Sequence, residues 1–257
     1  VSTPQVSATQ ATVRVETSVT NESVSAREIT VQTTLVSPDG QSVASLETKA
    51  ASPGAPVIQQ IVLPKPQLWD LAAPKLYCTV SKVISDGKVL DEATKTFGIR
   101  DAHFEADTGF WLNGKNFKLK GVCLHADGGA FGAAVPLGVW EQRLTELRKL
   151  GVNAIRTEHN PPAPEFLDLC DRMGFLVMDE FFDCWTVGKN PYDYHLYFDE
   201  WSKTDECDTI LRDRNHPSVI IYSVGNEIHD TPQAELAKRI LKGLVEVAHA
   251  TDPTRPV

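Results

Sequence analysis

The run Val219-Ile220-Ile221-Tyr222-Ser223-Val224 constrains this chain more than any other stretch, because it is apolar almost throughout and then stops at Gly225-Asn226-Glu227. An uninterrupted, β-branched-rich run without polar alternation is what a parallel strand buried on both faces demands. In an eight-stranded α/β barrel the C-terminal strand ends floor the active site, so Asn226 and Glu227 are expected to face substrate. A buried carboxylate tends to stay protonated near neutral pH, and the adjacent amide can hydrogen-bond a sugar hydroxyl. The pair therefore suits general-acid cleavage of a glycosidic bond. The plainer reading makes Asn226 a turn residue and Glu227 a cap for the helix near Thr231 and Pro232.

Upstream, helix and strand periods alternate. Phe117 to His125 reads as a first strand, followed by a helix with Trp140, Leu144 and Leu147 on one face that stops at Gly151. Asn153-Ala154-Ile155-Arg156-Thr157 reads as a second strand, and Phe166, Leu169, Cys170 and Met173 line a helix opened by Pro164 and closed by Gly174. Phe175 to Glu180 is a third strand, and a long loop through Asp183, Trp185, Asn190-Pro191 and Tyr194 leads to a third helix. The run ending at Glu227 is the fourth strand, and Leu236, Ile240, Leu244 and Val247 mark a fourth helix. Short βα connections of this kind make a parallel, barrel-type sheet.

Polar residues gather where each strand ends: His125, then Arg156, His159 and Asn160, then Asp179 and Glu180, then Asn226 and Glu227. Singly, each has a structural alternative. Arg156 with Asp179 or Glu180 makes an orienting ion pair, and His159-Asn160-Pro161-Pro162 makes a turn before a helix. Together they outline a site.

From Ala11 to about Arg100 the pattern alternates at strand period, as in Thr12 to Val19 and Ile29 to Val36. Ser37-Pro38-Asp39-Gly40, Ser52-Pro53-Gly54 and Ser85-Asp86-Gly87 are turn signals between the runs. Their spacing predicts an antiparallel, immunoglobulin-like sandwich over residues 1–100. Leu68-Trp69 and Leu76-Tyr77 read as core and corner packing rather than a sugar platform. Asn113-Gly114, between Phe110-Trp111-Leu112 and Phe117-Lys118-Leu119, is a strong hairpin signal.

The chain has 42% hydrophobic content, enough for proper cores, and a net charge of -9 with no Lys/Arg cluster. That balance argues against nucleic acid or an anionic membrane surface as partner and leaves a neutral polar substrate compatible. No apolar run approaches the roughly 18 residues of a membrane span. Cys78, Cys123, Cys170, Cys184 and Cys207 are scattered and read as free, mostly buried thiols; one bridge in an oxidising compartment stays open. No cofactor motif stands out, and no residue is assigned to a metal. The compartment is not determined, with a periplasmic or secreted location favoured over the cytoplasm.

Arg212-Asp213-Arg214-Asn215-His216-Pro217-Ser218, leading into the strand that ends at Asn226-Glu227, closely resembles the acid/base signature of the family 2 glycoside hydrolases. This is the β-galactosidase, β-glucuronidase and β-mannosidase family. The resemblance extends to Leu68-Trp69…Pro74-Lys75-Leu76-Tyr77, to Arg156-Thr157-Glu158-His159-Asn160-Pro161 and to Asp179-Glu180. It implies that Glu227 is the acid/base, that Asn226 holds the sugar 2-hydroxyl, and that His159 and Asn160 border the sugar pocket. The hairpin at Asn113-Gly114 is implied to close the bottom of the barrel. Glu158 departs from the small residue usual in that motif, which leaves the exact sugar open. Gly121 to His125 and Phe182-Asp183-Cys184-Trp185 look most like the β-galactosidase branch, with Trp185 offering an apolar face to a sugar ring.

The expected fold is thus multidomain, β plus α/β: an immunoglobulin-like sandwich over 1–100, then over 101–257 the first four βα units of a TIM (β/α)8 barrel. A complete barrel takes about 250 residues, and Arg255-Pro256-Val257 stands where a fifth strand is expected to begin. The chain begins at Val1 rather than Met, so an upstream part is expected as well. The resemblance places the nucleophile on the seventh barrel strand, beyond Val257, with Asp179 and Glu180 as orienting groups. The expected activity is retaining hydrolysis of a β-galactoside, with 1–257 alone inactive and self-associating through the exposed edge of the fourth strand. A noncatalytic carbohydrate-binding or scaffolding fragment is the alternative, as is specificity for a β-glucuronide or β-mannoside.

Overall fold

The computed structural model describes residues 1–257 apart from Ser23, Val24 and Pro53. The middle of the Ser52-Pro53-Gly54 turn signal therefore lies outside the described residues. The chain forms two compact units, one of Val1–Ala102 with Trp111–Asn116, the other of His103–Phe110 with Phe117–Val257.

In the first unit, β1 (Ser2–Val6), β2 (Gln10–Thr17) and β5 (Val57–Pro64) make one antiparallel sheet in the order β1-β2-β5. The other sheet contains β3 (Arg27–Val36), β4 (Ser42–Ser52), β6 (Tyr77–Ser85) and β7 (Lys88–Phe97), ordered β4-β3-β6-β7. Alternation decides which side is buried: Ile29, Val31, Thr33 and Leu35 of β3 and Val57, Gln59, Ile61 and Leu63 of β5 all point inward. Buried Thr33 is not left bare, because its hydroxyl lies 3.0 Å from that of Ser81 on β6. Trp69 is fully buried, and the Tyr77 hydroxyl accepts the backbone N–H of Gln67 at 2.8 Å. Both aromatics therefore do structural work. Asp86 and Gly87, at φ 51° and 73°, make the tight β6–β7 turn.

Three short strands follow, β8 (Ala102–Glu105), β9 (Gly109–Leu112) and β10 (Lys115–Phe117), in the order β10-β9-β8. Asn113 and Gly114 turn β9 into β10 with φ of 51° and 74°, the paired positive values that this dipeptide tolerates best.

The second unit is built on a parallel sheet of β11 (Gly121–His125), β12 (Ala154–Glu158), β13 (Leu176–Glu180) and β14 (Val219–Ser223), ordered as in sequence. Between and after these strands come α1 (Leu137–Lys149), α2 (Pro164–Met173), α3 (Phe198–Asp213) and α4 (Ala234–Thr251). α2 starts on Pro164 and ends at left-handed Gly174, whose N–H returns to the Cys170 carbonyl. The core joins Trp140 and Leu144 of α1, Phe166, Leu167 and Leu169 of α2, Ile210 of α3 and Leu244 and Ala248 of α4 to the strands' Ile155, Val177, Val219 and Tyr222.

Several expectations need correction here. The first barrel strand is not continuous from Phe117, because the Asn153 side chain takes the Lys118 carbonyl and the Lys120 N–H at 3.0 and 2.7 Å in place of a strand ladder. The edge of β14 is not wholly unpaired, since Tyr222 N–H donates to the Pro256 carbonyl at 3.0 Å. All five cysteines are free, but only Cys170 and Cys184 are buried, and Cys123 is exposed. Among the described residues no helix is long and apolar enough to cross a membrane.

Candidate active site

The strand register sorts the expected site residues into two faces. Cys123 pairs with Arg156 and His125 with Glu158, then Arg156 with Met178, and Glu180 with Ser223. Because side chains alternate, His125, Arg156, Glu158, Glu180 and Ser223 share one face of the sheet. Asp179 shares the opposite face with Tyr222, its register partner.

On the first face a connected polar network forms. Arg156 donates to both oxygens of Glu180, Nε to Oε2 at 2.9 Å and Nη2 to Oε1 at 3.0 Å, and its Nη2 also reaches Asn226 Oδ1 at 2.8 Å. His159 Nδ1 lies 2.7 Å from Glu180 Oε1, and Ser223 Oγ donates to Glu180 Oε2 at 2.6 Å. Glu180 is thus a buried carboxylate with every lone-pair direction in use, which suits an orienting group. Asn226 is clamped from its other side as well, since Nδ2 donates to Asp183 Oδ1 at 2.9 Å. Lys189 Nζ donates to Asp183 Oδ1 and to the Asn226 carbonyl at 2.7 and 2.9 Å and stands 4.0 Å from Glu227 Oε2. Burial raises the Asp183 pKa, but the hydrogen bonds from Lys189 and Asn226 outweigh it and hold this carboxyl below the usual carboxylate range.

Glu227 itself is not buried. The backbone adopts φ 43° there, a left-handed conformation unusual for a side chain of this size, and the carboxylate is 82% exposed. Within residues 1–257 the Glu227 carboxylate is thus not desolvated: the turn after β14 carries it off the strand and out toward Lys189. Gly225 enters that turn so tightly that a Cβ would stand 2.8 Å from the Ile228 Cδ1 and 3.0 Å from Trp185 Nε1.

Trp185 corrects another expectation. It is only 5% exposed, and its Nε1 donates to the Val224 carbonyl at 2.8 Å, so it braces the approach to Asn226 rather than presenting an open ring face. It also lines an open hollow of about 450 Å³ with Met178, Ile221, Val224 and Ile228. Asn160 is exposed at the rim, and His125 is 66% exposed, with Nε2 2.6 Å from Glu158 Oε2.

Asp179 is the expected site residue that leaves the site. It is 0% exposed, neither oxygen receives a hydrogen bond, and its protonated carboxyl can give one only to the neighbouring Asp213. Burial, and then the neighbouring Asp213 carboxylate, push its carboxyl well above the ordinary range, against the pull of Arg212 and Arg255. Strand parity is the physical reason: one position before Glu180 points to the helix-covered side. Asp183, Glu158, Lys189 and Ser223 are the members of the network that sequence reasoning did not assign. Lys189 sits in an irregular loop where no periodicity singles it out.

Residues 1–100 match the family described as Glycosyl hydrolases family 2, and residues 105–257 match Glycosyl hydrolases family 2, TIM barrel domain. The chain is 42% identical to a beta-galactosidase of Bacteroides ovatus, covering 100% of this chain and 34% of that protein. It is 43% identical to a putative beta-glucuronidase of Formosa agariphila, over 86% of this chain and 20% of that protein. A solved family 2 glycosyl hydrolase from Bacteroides cellulosilyticus superposes with a TM-score of 0.93 at 38% identity, covering 99% of this chain and 33% of that one. The chain thus spans about a third or less of the length of these relatives. With both family descriptions matched in order, and with a sandwich followed by part of a TIM barrel, the chain belongs to glycoside hydrolase family 2.

Proposed function

We propose that this chain is the part of a retaining β-glycosidase that carries the acid/base carboxylate, Glu227, and one side of the sugar pocket. The observation that carries the reading is the turn at the C-terminal end of β14, where Glu227 is held at φ 43° in reach of a substrate while Asn226 beside it is fixed through both ends of its amide. In this reading Glu227 gives its proton to the glycosidic oxygen as the bond breaks and later takes one from the attacking water. Asn226 has one amide hydrogen and one carbonyl lone pair left for a sugar hydroxyl. His125, His159 and Asn160 border the sugar. Arg156, Glu180, Asp183, Lys189 and Trp185 position the turn.

The nucleophile is proposed to come from outside residues 1–257. Glu180 is enclosed by Arg156, His159 and Ser223, Asp183 is bound by Lys189 and Asn226, and Asp179 faces away. Without a second carboxylate about 5 Å from the acid, no glycosyl-enzyme forms.

For the sugar, a β-galactoside is favoured over a β-glucuronide on charge. Glu158, Glu180, Asp183 and Glu227 are set against Arg156 and Lys189, and both cations are already paired with carboxylates. Within this group both cations are therefore engaged, and a uronate would meet net negative charge there. The test is a panel of nitrophenyl β-galactoside, β-glucuronide and β-mannoside given to the full-length enzyme and to 1–257. Turnover of the galactoside by the full-length enzyme alone is expected. Preferred turnover of the glucuronide would overturn the sugar assignment, and turnover by 1–257 that Glu227→Gln abolishes would overturn the division of the catalytic pair.

A further inference from the structure

The geometry points to a binding site for a divalent metal ion of zinc type, formed by His125 Nε2, a Glu158 oxygen and His159 Nε2 at the C-terminal ends of β11 and β12. The site shares His125 and His159 with the sugar pocket proposed above, and its test reads metal binding rather than turnover. The three donor atoms lie within 4.8 Å of one another. Glu158 Oε2 is 2.6 Å from His125 Nε2 and 3.8 Å from His159 Nε2, and the two imidazole rings stand edge to face at 5.3 Å and 89°. Donors around a tetrahedral zinc are roughly 3.4 Å apart, given metal–ligand bonds of about 2.1 Å. The first separation must open by less than about 1 Å and the second close by less than half an ångström. The two imidazole nitrogens, within 4.8 Å of each other, must close by up to about 1.4 Å.

A second observation marks His159 as a ligand in waiting. Its Nδ1 lies 2.7 Å from Glu180 Oε1, and Glu180 already accepts from both Arg156 nitrogens and from Ser223. A carboxylate so engaged can only accept, so Nδ1 carries the hydrogen and the lone pair of Nε2 is turned toward Glu158. This carboxylate–histidine relay is the arrangement that orients and strengthens imidazole ligands in metal sites. Two imidazoles and one carboxylate with open positions favour zinc, cobalt or nickel over magnesium or calcium, which prefer all-oxygen shells. The other cluster of this kind, Asp168, Asp171 and His216, lacks such freedom. Asp171 is buried there, and one of its oxygens is held by the Ser218 N–H at 3.0 Å. The residue that makes the first site is Glu158, the position where this sequence departs from the small residue of the family motif.

Isothermal titration of the tag-free 1–257 chain with Zn²⁺ and Co²⁺, with visible absorption of the cobalt form, tests the proposal. One ion per chain, cobalt bands of a low-coordinate nitrogen–oxygen site, and no comparable heat with Mg²⁺ are expected. Glu158→Gln, which keeps the side-chain shape, and His125→Asn, at an exposed position, should each weaken binding by at least about tenfold. Cys123→Ser controls for the exposed thiol two residues before His125 on the same strand face. Absence of stoichiometric binding, equal affinity for Mg²⁺, unchanged binding in both ligand variants, or loss of binding in Cys123→Ser would each overturn the site.

Discussion

Arg156 grips Glu180 across neighbouring strands through two parallel hydrogen bonds of 2.9 and 3.0 Å, and the same guanidinium reaches Asn226 at 2.8 Å. One planar side chain thereby ties β12 and β13 to the turn after β14. A lysine offers a single point charge and cannot reproduce the fork. Arg156→Lys should leave Glu180 partly unsatisfied and release Asn226, lowering stability by roughly 1–3 kcal/mol. Urea unfolding of 1–257 measures this; an unchanged midpoint would count against the role given to Arg156.

Glu206 on α3 is fully buried without a hydrogen-bond partner, and burial pushes its carboxyl up to about 8. The folded chain therefore holds a proton that the unfolded chain has released between the ordinary glutamate range and that value. Stability must fall as pH rises through that window, and Asp179, shifted the same way, adds to the slope. Glu206→Gln should flatten the fall between about pH 5 and 8. A pH series of thermal unfolding in which parent and variant stay parallel would refute this assignment.

Arg255 is buried with Asp252, 2.6 Å from its Oδ2, and also donates to the carbonyls of Val219 and His216 at 2.8 and 2.9 Å. Asp252 in turn accepts from the Tyr222 hydroxyl at 2.8 Å. Removing the cation strands a buried carboxylate, so Arg255→Ala is expected to cost about 3–5 kcal/mol. Asp252→Asn, which retains a hydrogen-bond acceptor for Tyr222, should cost less. Denaturant midpoints of the two variants, compared side by side, decide it.

In a full-length enzyme containing this segment, Glu227→Gln should slow cleavage of alkyl β-glycosides by about 10²–10⁴-fold, the usual worth of a positioned acid. Activated nitrophenyl glycosides need less protonation and should lose less in forming the glycosyl-enzyme. Equal losses for both leaving groups would remove the acid assignment.

Local signals carried much of the fold. Pro164 and Gly174 bracket α2, and Asn113-Gly114 makes its hairpin, because φ restrictions act at single residues. What could not be read was set by the third dimension. A strand buried on both faces shows no alternation, so Asp179 and Glu180 looked equivalent, although the sheet register sends them to opposite sides. Glu227 read as buried because it follows an apolar run, whereas the turn after that run, packed by Gly225 and Trp185, takes the backbone to φ 43°. Lys189 and Asp183 meet only once the long loop has folded over Asn226.

The parallel sheet adds its strands in the order the chain is made, β11 to β14, each beside the one before. During synthesis every new strand therefore finds its docking edge already laid down, and the sheet can grow from one side as the ribosome delivers it. The sandwich has no such convenience: β2 must wait for β5 and β3 for β6 before their central pairings close. Slow-codon stretches or strand-order permutations in the gene should therefore disturb the first unit's birth more than the second's.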